Sequence, residues 1–287
     1  MILAIVGPTG VGKTKLSISL AKYYDAVIIN CDAMQIYKEM NIGTAKITDE
    51  EKEGIDHLLF DKCFLNEEYS VYDYQQDARK LLDKYSDKNI ILVGGTGLYL
   101  KALLYDYKFL EPNDEDYEKY SNEELYKMVK ESNPDSDIHV NNRRRLISYL
   151  KIPKTTNSNN KLYDATIIGL TTDRDNLYSI INDRVDKMME NGLEKEANEL
   201  YEKYPNSRAL NTAIGYKELN MYFKGEITKE EAVSLIKKNS RHYAKRQYTF
   251  FNNQLDVKWF DTNYDNFNKT IDSVKEYVDN LLSTIKK

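Results

Sequence analysis

The chain has 287 residues, of which 41% are hydrophobic and 30% charged, and its formal net charge at pH 7 is −5. This balance is typical of a soluble globular protein and excludes a chain that is mostly disordered. No apolar run approaches the ~20 residues that a membrane-spanning helix needs.

Short apolar runs alternate with longer periodic segments along much of the chain. Continuous apolar runs bounded by turn residues predict strands that are buried on both faces, and apolar residues at helical spacing predict helices between them. This alternation predicts an α/β fold, a parallel sheet flanked by helices and joined by right-handed crossovers. The predicted strands are 2–6, 26–29, 90–93 and 166–170, and the first predicted helices are 13–23 and 73–85.

The stretch 111–162 has no buried-strand run and predicts a small helical insertion, so that 1–110 and 163–287 form the core. From residue 174 onward the periodicity is helical again. The insertion is predicted to hold helices at 122–132 and 141–151 and a polar loop at 155–160, and the last predicted helices are 174–204, 207–224, 228–251 and 264–286.

Charge and cysteine content limit the functional classes. Cys31 and Cys63 cannot make a CxxC motif or a four-ligand zinc site, so we expect reduced thiols in a cytoplasmic protein without a secretion signal. Mild acidity argues against a general nucleic-acid binder. However, 143–154 and 237–246 each hold five basic residues and no acidic one. Such a run is usually a solvated surface, but two runs with interleaved apolar residues favour a polyanion site.

Residues 7–14 match the phosphate-loop pattern GxxxxGK[ST], after a predicted strand and at the start of a predicted helix. Glycines let the backbone N–H groups point at an anion, and the helix N-terminus adds a positive dipole end. Lys13 supplies a charge for the outer phosphates, and the Thr14 hydroxyl can bind Mg²⁺. A turn that binds nothing is the alternative, and the complete match argues against it. The predicted phosphate-binding residues are Gly7, Pro8, Thr9, Gly10, Val11, Gly12, Lys13 and Thr14.

The chain lacks the acid that many phosphate-loop NTPases place at a strand end to hold Mg²⁺. The predicted strand 90–93 runs into Gly94, Gly95 and Thr96, and the acid at a strand end near the phosphate loop is Asp32. Because ligands of open α/β sheets bind at the carboxyl ends of strands, Asp32 and Thr96 should flank the crevice that holds the phosphates. Each could instead cap the helix that follows it.

Several sequence blocks resemble the bacterial tRNA dimethylallyltransferases, in the same order and across nearly the whole chain, most weakly at 111–137 and 153–165. The phosphate loop alone is shared with many enzyme classes, whereas these blocks together are far more specific. They are DAMQIYK (32–38), IGTAK (42–46), HLL (57–59), GGTGLYLKAL (94–103), IHVNN (138–142), AIGYKE (213–218) and RHYAKRQ (241–247).

The resemblance implies transfer of a dimethylallyl group from dimethylallyl diphosphate to the exocyclic amine of the adenosine 3′-adjacent to the anticodon. The implied acceptors are tRNAs that read codons beginning with U, and the product is isopentenyladenosine. The phosphate loop would hold the prenyl diphosphate in place of a nucleotide, which fits the missing strand-end acid. Mg²⁺ on Thr14 is the implied cofactor, and the anticodon stem-loop is the implied partner of an enzyme that we expect to be monomeric.

The resemblance also assigns roles to single residues. Asp32 accepts the amine proton as general base, and Thr96 hydrogen-bonds near the reacting amine or the diphosphate. Lys13 and the loop amides stabilise the leaving group, and the target base is flipped into the crevice. Arg174, Arg184 and His57 also match family positions. We expect structural roles for them, as ion pairs for the two arginines and as a hydrogen-bonded structural histidine for His57. The implied tRNA contacts are Asp32, Ala33, Met34, Gln35, Thr96, Arg144, Arg145, Leu146, Ile147, Ser148, Arg241 and Arg246.

Two departures and three alternatives accompany this interpretation. Ala33 stands where the family usually has Ser, and Glu118 and Lys119 stand where it often has an arginine that touches tRNA. The first alternative is a small-molecule kinase that uses Arg143, Arg144 and Arg145 as a lid. The others are a prenyltransferase of free adenine nucleotides, which would need neither basic run, and a nucleotide-gated RNA-binding module without catalysis. Arg241 and Arg246 could reach either the diphosphate or the anticodon-loop backbone.

Overall fold

Six strands form one sheet within the residues that the structure, a computed structural model, describes, namely 1–109, 115–151 and 160–285. The central strands are continuous apolar runs with almost no exposed position, as expected where helices cover both faces of a sheet. The strands are β1 (Ile2–Val6), β2 (Ala26–Asn30), β3 (His57–Leu58), β4 (Asn89–Val93), β5 (Ala165–Thr171) and β6 (Lys258–Asp261).

The order across the sheet is β3-β2-β4-β1-β5-β6, and all of these pairings are parallel. In register, Ile5 of β1 lies opposite Val93 of β4 and Ile168 of β5. The carboxyl ends of β1, β2 and β4 therefore meet at one edge. This confirms the predicted α/β fold. The sequence prediction missed β3 and β6, because β3 has two residues and β6 is a short, partly exposed edge strand.

The chain divides into two units, and the larger one combines Met1–Leu104 with Tyr163–Lys287. In this larger unit, helices cover the sheet and extend beyond it. The predicted helix 174–204 is broken at Gly192, whose φ of 96° lies in the left-handed region that favours glycine. The predicted helix 207–224 is likewise divided, before Gly215. The helices of this unit are α1 (Lys13–Tyr24), α2 (Val71–Lys84), α3 (Gly97–Leu104), α6 (Arg174–Glu190), α7 (Leu193–Lys203), α8 (Arg208–Thr212), α9 (Tyr216–Phe223), α10 (Lys229–Gln254) and α11 (Phe267–Ile285).

The regular structure of the second unit, Tyr105–Leu162, is mainly helical where it is described. A 3₁₀ turn at Tyr117–Lys119 precedes α4 (Asn122–Ser132) and α5 (Arg143–Lys151). Ser121 and Glu124 form a capping box that begins α4. Residues 155–159 of the predicted polar loop lie outside the described residues, as does residue 286 of the last predicted helix. The core of this unit is formed by Tyr117, Leu125, Val129, Ile138, Leu146 and Ile147.

Two further apolar cores stabilise the larger unit. One lies between the sheet, α1, α6 and α11 and includes Leu16, Leu20 and Val274, all fully buried. The other joins α7, α8 and α9 to the loop after β2. No helix within the described ranges has both the length and the apolar character to cross a membrane.

Candidate active site

The phosphate loop connects β1 to α1 at the carboxyl edge of the sheet. Gly7, Gly10 and Gly12 have φ values of 136°, 91° and 91°, which residues other than glycine rarely adopt. A Cβ atom at Gly7 would also lie 2.5 Å from the Leu170 carbonyl oxygen of β5. The loop residues that line the crevice at this edge are Thr9, Gly10, Gly12, Lys13 and Thr14.

Two predicted phosphate-binding residues have a narrower role than the motif suggests. Val11 is fully buried, and its carbonyl accepts a hydrogen bond of 3.0 Å from the Thr262 hydroxyl, so only its N–H can face an anion. Pro8 has no N–H to donate. Its carbonyl instead accepts from Lys13.

The Lys13 side chain folds back over the loop. Its Nζ donates to the carbonyl oxygens of Gly7 at 2.9 Å and Pro8 at 2.7 Å. Burial and the nearby Arg184 guanidinium lower the pKa of Lys13 to about 7, and the charge of Asp32 acts in the opposite direction. A cation held at such a low pKa is poised to gain full charge when an anion arrives.

The turns after β2 and β4 are joined to each other by hydrogen bonds. The Thr96 N–H donates to the Cys31 carbonyl at 3.1 Å, and the Ala33 N–H donates to Thr96 Oγ1 at 3.0 Å. Asp32 Oδ1 accepts from the Met34 N–H at 3.0 Å, in a segment that forms turns. Neither of these two side-chain contacts is therefore a helix cap. The two side chains line the crevice together, as predicted.

Helix α10 forms another wall of this region. Gln247 Nε2 donates to the Gly95 carbonyl at 2.9 Å, and a Cβ atom at Gly95 would lie 2.2 Å from that nitrogen. The Tyr243 hydroxyl contacts Thr96, and burial with the charge of Asp32 raises the pKa of Tyr243 to about 12. The sequence analysis did not select Tyr243 or Gln247 as site residues. The block at 241–247 was the available signal.

Arg184 of α6 lies in the crevice with Lys13 and Asp32. Within the described part of the chain, no carboxylate oxygen comes within 4.0 Å of its guanidinium, so the predicted ion pair is wrong. Burial lowers the pKa of Arg184, and Asp32 opposes that shift. Arg174 also lacks a described ion pair and lies over the Tyr178 ring, 5.1 Å from its centroid. Arg184 is therefore a site residue that sequence analysis misassigned.

The other two arginines of interest, both on α10, differ in position. Arg246 lines the crevice. Arg241 is not among the residues that line the crevice; it donates to Asn182 Oδ1 at 2.5 Å and lies 5.7 Å from the centroid of the Tyr178 ring. Of the pair, Arg246 is therefore the residue placed to meet a ligand in the crevice.

The crevice has a volume of about 910 Å³. The phosphate loop, Lys13 and Arg184 line the part suited to an anionic ligand, and apolar side chains line another wall. Ala33, Met34 and Gln35 lie along the crevice. His57 also lines it; its Nδ1 is 2.8 Å from the Ile55 carbonyl, and its ring contacts Phe60. The apolar side chains of the lining are Ile18, Ile47, Phe60, Ile181, Val185, Met188, Ile214 and Ile236.

The second unit carries the remaining predicted RNA contacts, on α5. Leu146 is fully buried and Ile147 is 8% exposed in the core of this unit, so the predicted side-chain contacts of these two residues with RNA are not available. Arg143 is used within the unit, where it donates to the Tyr120 carbonyl and pairs with Glu118. The exposed side chains on α5 are Arg144, Arg145, Ser148 and Lys151, of which the first three are predicted RNA contacts.

Comparisons with known proteins give one consistent result. A family model described as IPP transferase matches residues 35–254. The chain is 43% identical over 298 residues to a tRNA dimethylallyltransferase of Anoxybacillus flavithermus, covering 97% of this chain and 96% of that protein. It is 46% identical to a tRNA dimethylallyltransferase of Bacillus cytotoxicus, covering 91% and 90%.

Solved structures extend the similarity to the fold. A tRNA isopentenylpyrophosphate transferase of Bacillus halodurans matches with a TM-score of 0.79 and 41% identity, over 99% of this chain and 97% of that one. The corresponding Staphylococcus epidermidis transferase gives 0.77 and 37%, over 97% and 98%. A eukaryotic dimethylallyltransferase acting on tRNA gives 0.73 and 26%, over 90% of this chain and 73% of that one.

Proposed function

The chain belongs to the IPP transferase family, and from this premise we propose that it transfers a dimethylallyl group from dimethylallyl diphosphate to tRNA. The acceptor atom is the exocyclic amine of the adenosine 3′-adjacent to the anticodon, in tRNAs that read codons beginning with U. The product is isopentenyladenosine. Because tRNA is the acceptor, the enzyme works in the cytoplasm, and it does so as a monomer.

One observation supports this function best: a carboxylate and a phosphate loop share a crevice that also has an apolar wall. Asp32, Lys13 and Arg184 line it together with apolar side chains from α6, α10 and the loop after β2. Anion binding, a base and a dry apolar surface are the three elements that prenyl transfer to an amine requires. A kinase needs the first, and typically a strand-end acid for its metal, which β4 lacks.

The donor binds with its diphosphate on the loop amides, Lys13 and Arg184. The C–O bond between the allylic carbon and the diphosphate breaks, and positive charge develops on the prenyl group. The two cations stabilise the diphosphate that leaves. The apolar wall formed by side chains such as Val185 and Met188 excludes water that would otherwise capture the prenyl cation.

The residues present fit a Mg²⁺ ion that arrives with its diphosphate. The Thr14 hydroxyl lines the crevice next to Lys13 and is an oxygen donor, the kind that Mg²⁺ prefers. Within the described ranges no group of three or more His, Cys, Asp or Glu side chains could hold a metal ion by itself. We propose that Thr14 binds the ion, whose chemistry is to neutralise charge on the leaving group.

The acceptor is activated by Asp32. An adenine amine is a weak nucleophile because its lone pair is delocalised into the ring. As the new C–N bond forms, one amine proton passes to the Asp32 carboxylate, and a second N–H remains on the product. Thr96 holds the Ala33 N–H and so fixes the backbone next to this base. The target nucleotide enters the crevice in a flipped conformation.

RNA contacts come from the crevice rim and from the insertion. We propose that Ala33, Met34, Gln35 and Arg246 contact the flipped nucleotide and its neighbours. The Arg241 guanidinium donates to Asn182 and lies over the Tyr178 ring, so we assign it a contact with the RNA backbone and none with the flipped nucleotide. Residues 111–162 form the second tRNA-contacting region, in which Arg144, Arg145 and Ser148 of α5 are exposed.

The test uses labelled dimethylallyl diphosphate, Mg²⁺ and an anticodon stem-loop with adenosine at the flanking position. Wild-type protein should label this RNA and release one diphosphate for each label, and Asp32→Ala should not. No label in the RNA, with ATP consumed when small metabolites are added, would favour the kinase. Undiminished RNA binding without turnover of any allylic donor would favour the binding module.

A further inference from the structure

A carboxylate on α7 holds the loop that forms part of the crevice wall. Glu196 Oε2 accepts from the N–H groups of Asn41 at 3.2 Å and Ile42 at 2.9 Å. Its Oε1 accepts from the N–H groups of Ile42 at 3.1 Å and Gly43 at 3.2 Å. The Tyr216 hydroxyl donates to Oε1 at 2.6 Å. Three consecutive backbone N–H groups and one hydroxyl therefore converge on a single side chain.

The same loop lies directly against the Tyr216 ring. A Cβ atom at Gly43 would be 2.5 Å from Cε2 of that ring, so only glycine permits this approach. Tyr216 is fully buried at the start of α9, and burial together with Glu196 raises its pKa. The ring and the carboxylate thus hold the loop from the same side and are hydrogen-bonded to each other.

On its other side the loop holds a predicted RNA-binding residue. Gln35 Nε2 donates to the Thr44 carbonyl at 3.0 Å and to the Ala45 carbonyl at 3.4 Å. Gln35, Gly43, Thr44 and Ala45 all line the crevice. A continuous chain of hydrogen bonds and peptide bonds therefore leads from Glu196, through residues 41–45, to the Gln35 side chain.

We propose that Glu196 is a positioning residue for RNA binding, which acts by fixing the loop that orients Gln35. The proposal rests on the proposed function, because it takes Gln35 as a contact of the tRNA. The mechanism is electrostatic. An ionised carboxylate only accepts hydrogen bonds, and bonds from N–H groups to it are stronger than bonds between neutral groups. An amide at the same place would turn an NH₂ group toward backbone N–H donors and release the loop.

The test is Glu196→Gln, which keeps the size of the side chain and removes its charge. We expect KM for the anticodon stem-loop to rise about ten-fold. The value of kcat and KM for dimethylallyl diphosphate should stay within two-fold of wild type, since neither Lys13 nor Asp32 is touched. If Glu196→Gln fails to fold in a thermal melt, Tyr216→Phe replaces it. This variant removes one of the hydrogen-bond donors to Glu196, and it should give a smaller rise in KM for RNA, again with unchanged kcat and KM for the donor.

Glu39→Gln is the matched control. Glu39 belongs to the same loop and also ties it to the end of α7, through Lys203 Nζ at 2.7 Å and the Tyr204 hydroxyl at 3.0 Å. These contacts lie at the surface, away from the crevice. Because an exposed ion pair contributes little to stability, the control should lose little stability and leave KM for RNA unchanged. An equal rise in both variants would overturn the proposal in favour of a general loosening of the loop.

A double-mutant cycle with Gln35→Ala tests the route of the effect. If Glu196 acts through Gln35, Glu196→Gln adds nothing to KM for RNA once Gln35 is Ala. Independent additive effects, or an unchanged KM in Glu196→Gln, would overturn the inference. Equilibrium binding of the stem-loop to each variant gives the same comparison without chemistry. Wild-type protein that fails to prenylate RNA would refute the proposed function instead, so that the two failures can be told apart.

Discussion

Replacing Arg184 by Met tests whether its guanidinium is held in the crevice for an anionic ligand. Met has a similar length and no charge. In the described part of the chain Arg184 has no carboxylate within 4.0 Å, and burial lowers its pKa. A partly desolvated cation without a close partner opposes folding. Removing it should therefore stabilise the free protein by about 1 kcal/mol, which raises Tm by roughly 2 °C at this size.

The effect on function should have the opposite sign. A guanidinium that donates to a diphosphate makes charge-assisted hydrogen bonds, and their loss costs about 1.5–3 kcal/mol. This converts to a rise of about 10- to 150-fold in KM for dimethylallyl diphosphate. Because Arg184 lowers the pKa of Lys13, the variant should also shift the titration of Lys13 to higher pH.

The assay combines thermal unfolding without ligand with steady-state kinetics over a range of donor concentrations. Arg174→Met is the matched control, because Arg174 lies at the start of the same helix, is exposed, lies over the Tyr178 ring and is not among the residues that line the crevice. The control should leave KM for the donor unchanged. A less stable Arg184→Met protein with an unchanged KM would refute the reasoning, because Arg184 would then be a structural residue.

Three further predictions concern the same crevice. Since burial lowers the pKa of Lys13 from its ordinary 10.5 to about 7 in the free protein, kcat/KM for the donor should fall as pH rises through about 7, because the amine then becomes neutral. Lys13→Arg should abolish this descending limb, and identical profiles would contradict the assignment. Asp32→Asn should slow transfer by about 10²- to 10⁴-fold while binding of the donor, measured by calorimetry, changes little. Gly94→Ala places a Cβ atom 2.2 Å from the Cys31 carbonyl carbon and 2.8 Å from the Asp32 nitrogen, so it should lower the free energy of unfolding by about 2 kcal/mol and reduce kcat. Denaturant unfolding measures the free energy of unfolding, and steady-state kinetics measure kcat. Wild-type values of both quantities in Gly94→Ala would contradict this prediction, because the turn would then accommodate the Cβ atom.

Much of the fold was predictable because its signals are local. The apolar runs of β1, β2, β4 and β5 and the glycines of the phosphate loop carry their conformation in a few adjacent residues. Strands β3 and β6 were not predictable in this way. Both are short edge strands, whose pairing depends on neighbours distant in sequence.

The site divides along the same line. Asp32 and Thr96 lie just after the ends of β2 and β4, and Lys13 lies at the end of the phosphate loop that follows β1, so sheet topology places the three residues together. Arg184 is in the middle of α6, and its charge gives no indication of whether it meets a carboxylate or an open crevice. The family resemblance assigned Leu146 and Ile147 to RNA, whereas both side chains of α5 are buried in the core of the second unit. Only tertiary packing distinguishes these outcomes.

The most direct test of the central claim is the identity of the nucleoside that the protein makes. Stem-loops with adenosine or guanosine next to the anticodon are incubated with dimethylallyl diphosphate and either wild-type or Asp32→Asn protein, then digested and analysed by mass spectrometry. We predict isopentenyladenosine from the adenosine stem-loop with wild-type protein, and none in the other three reactions within the same time. Equal amounts of product with Asp32→Asn, or no prenylated nucleoside with wild-type protein, would contradict the account.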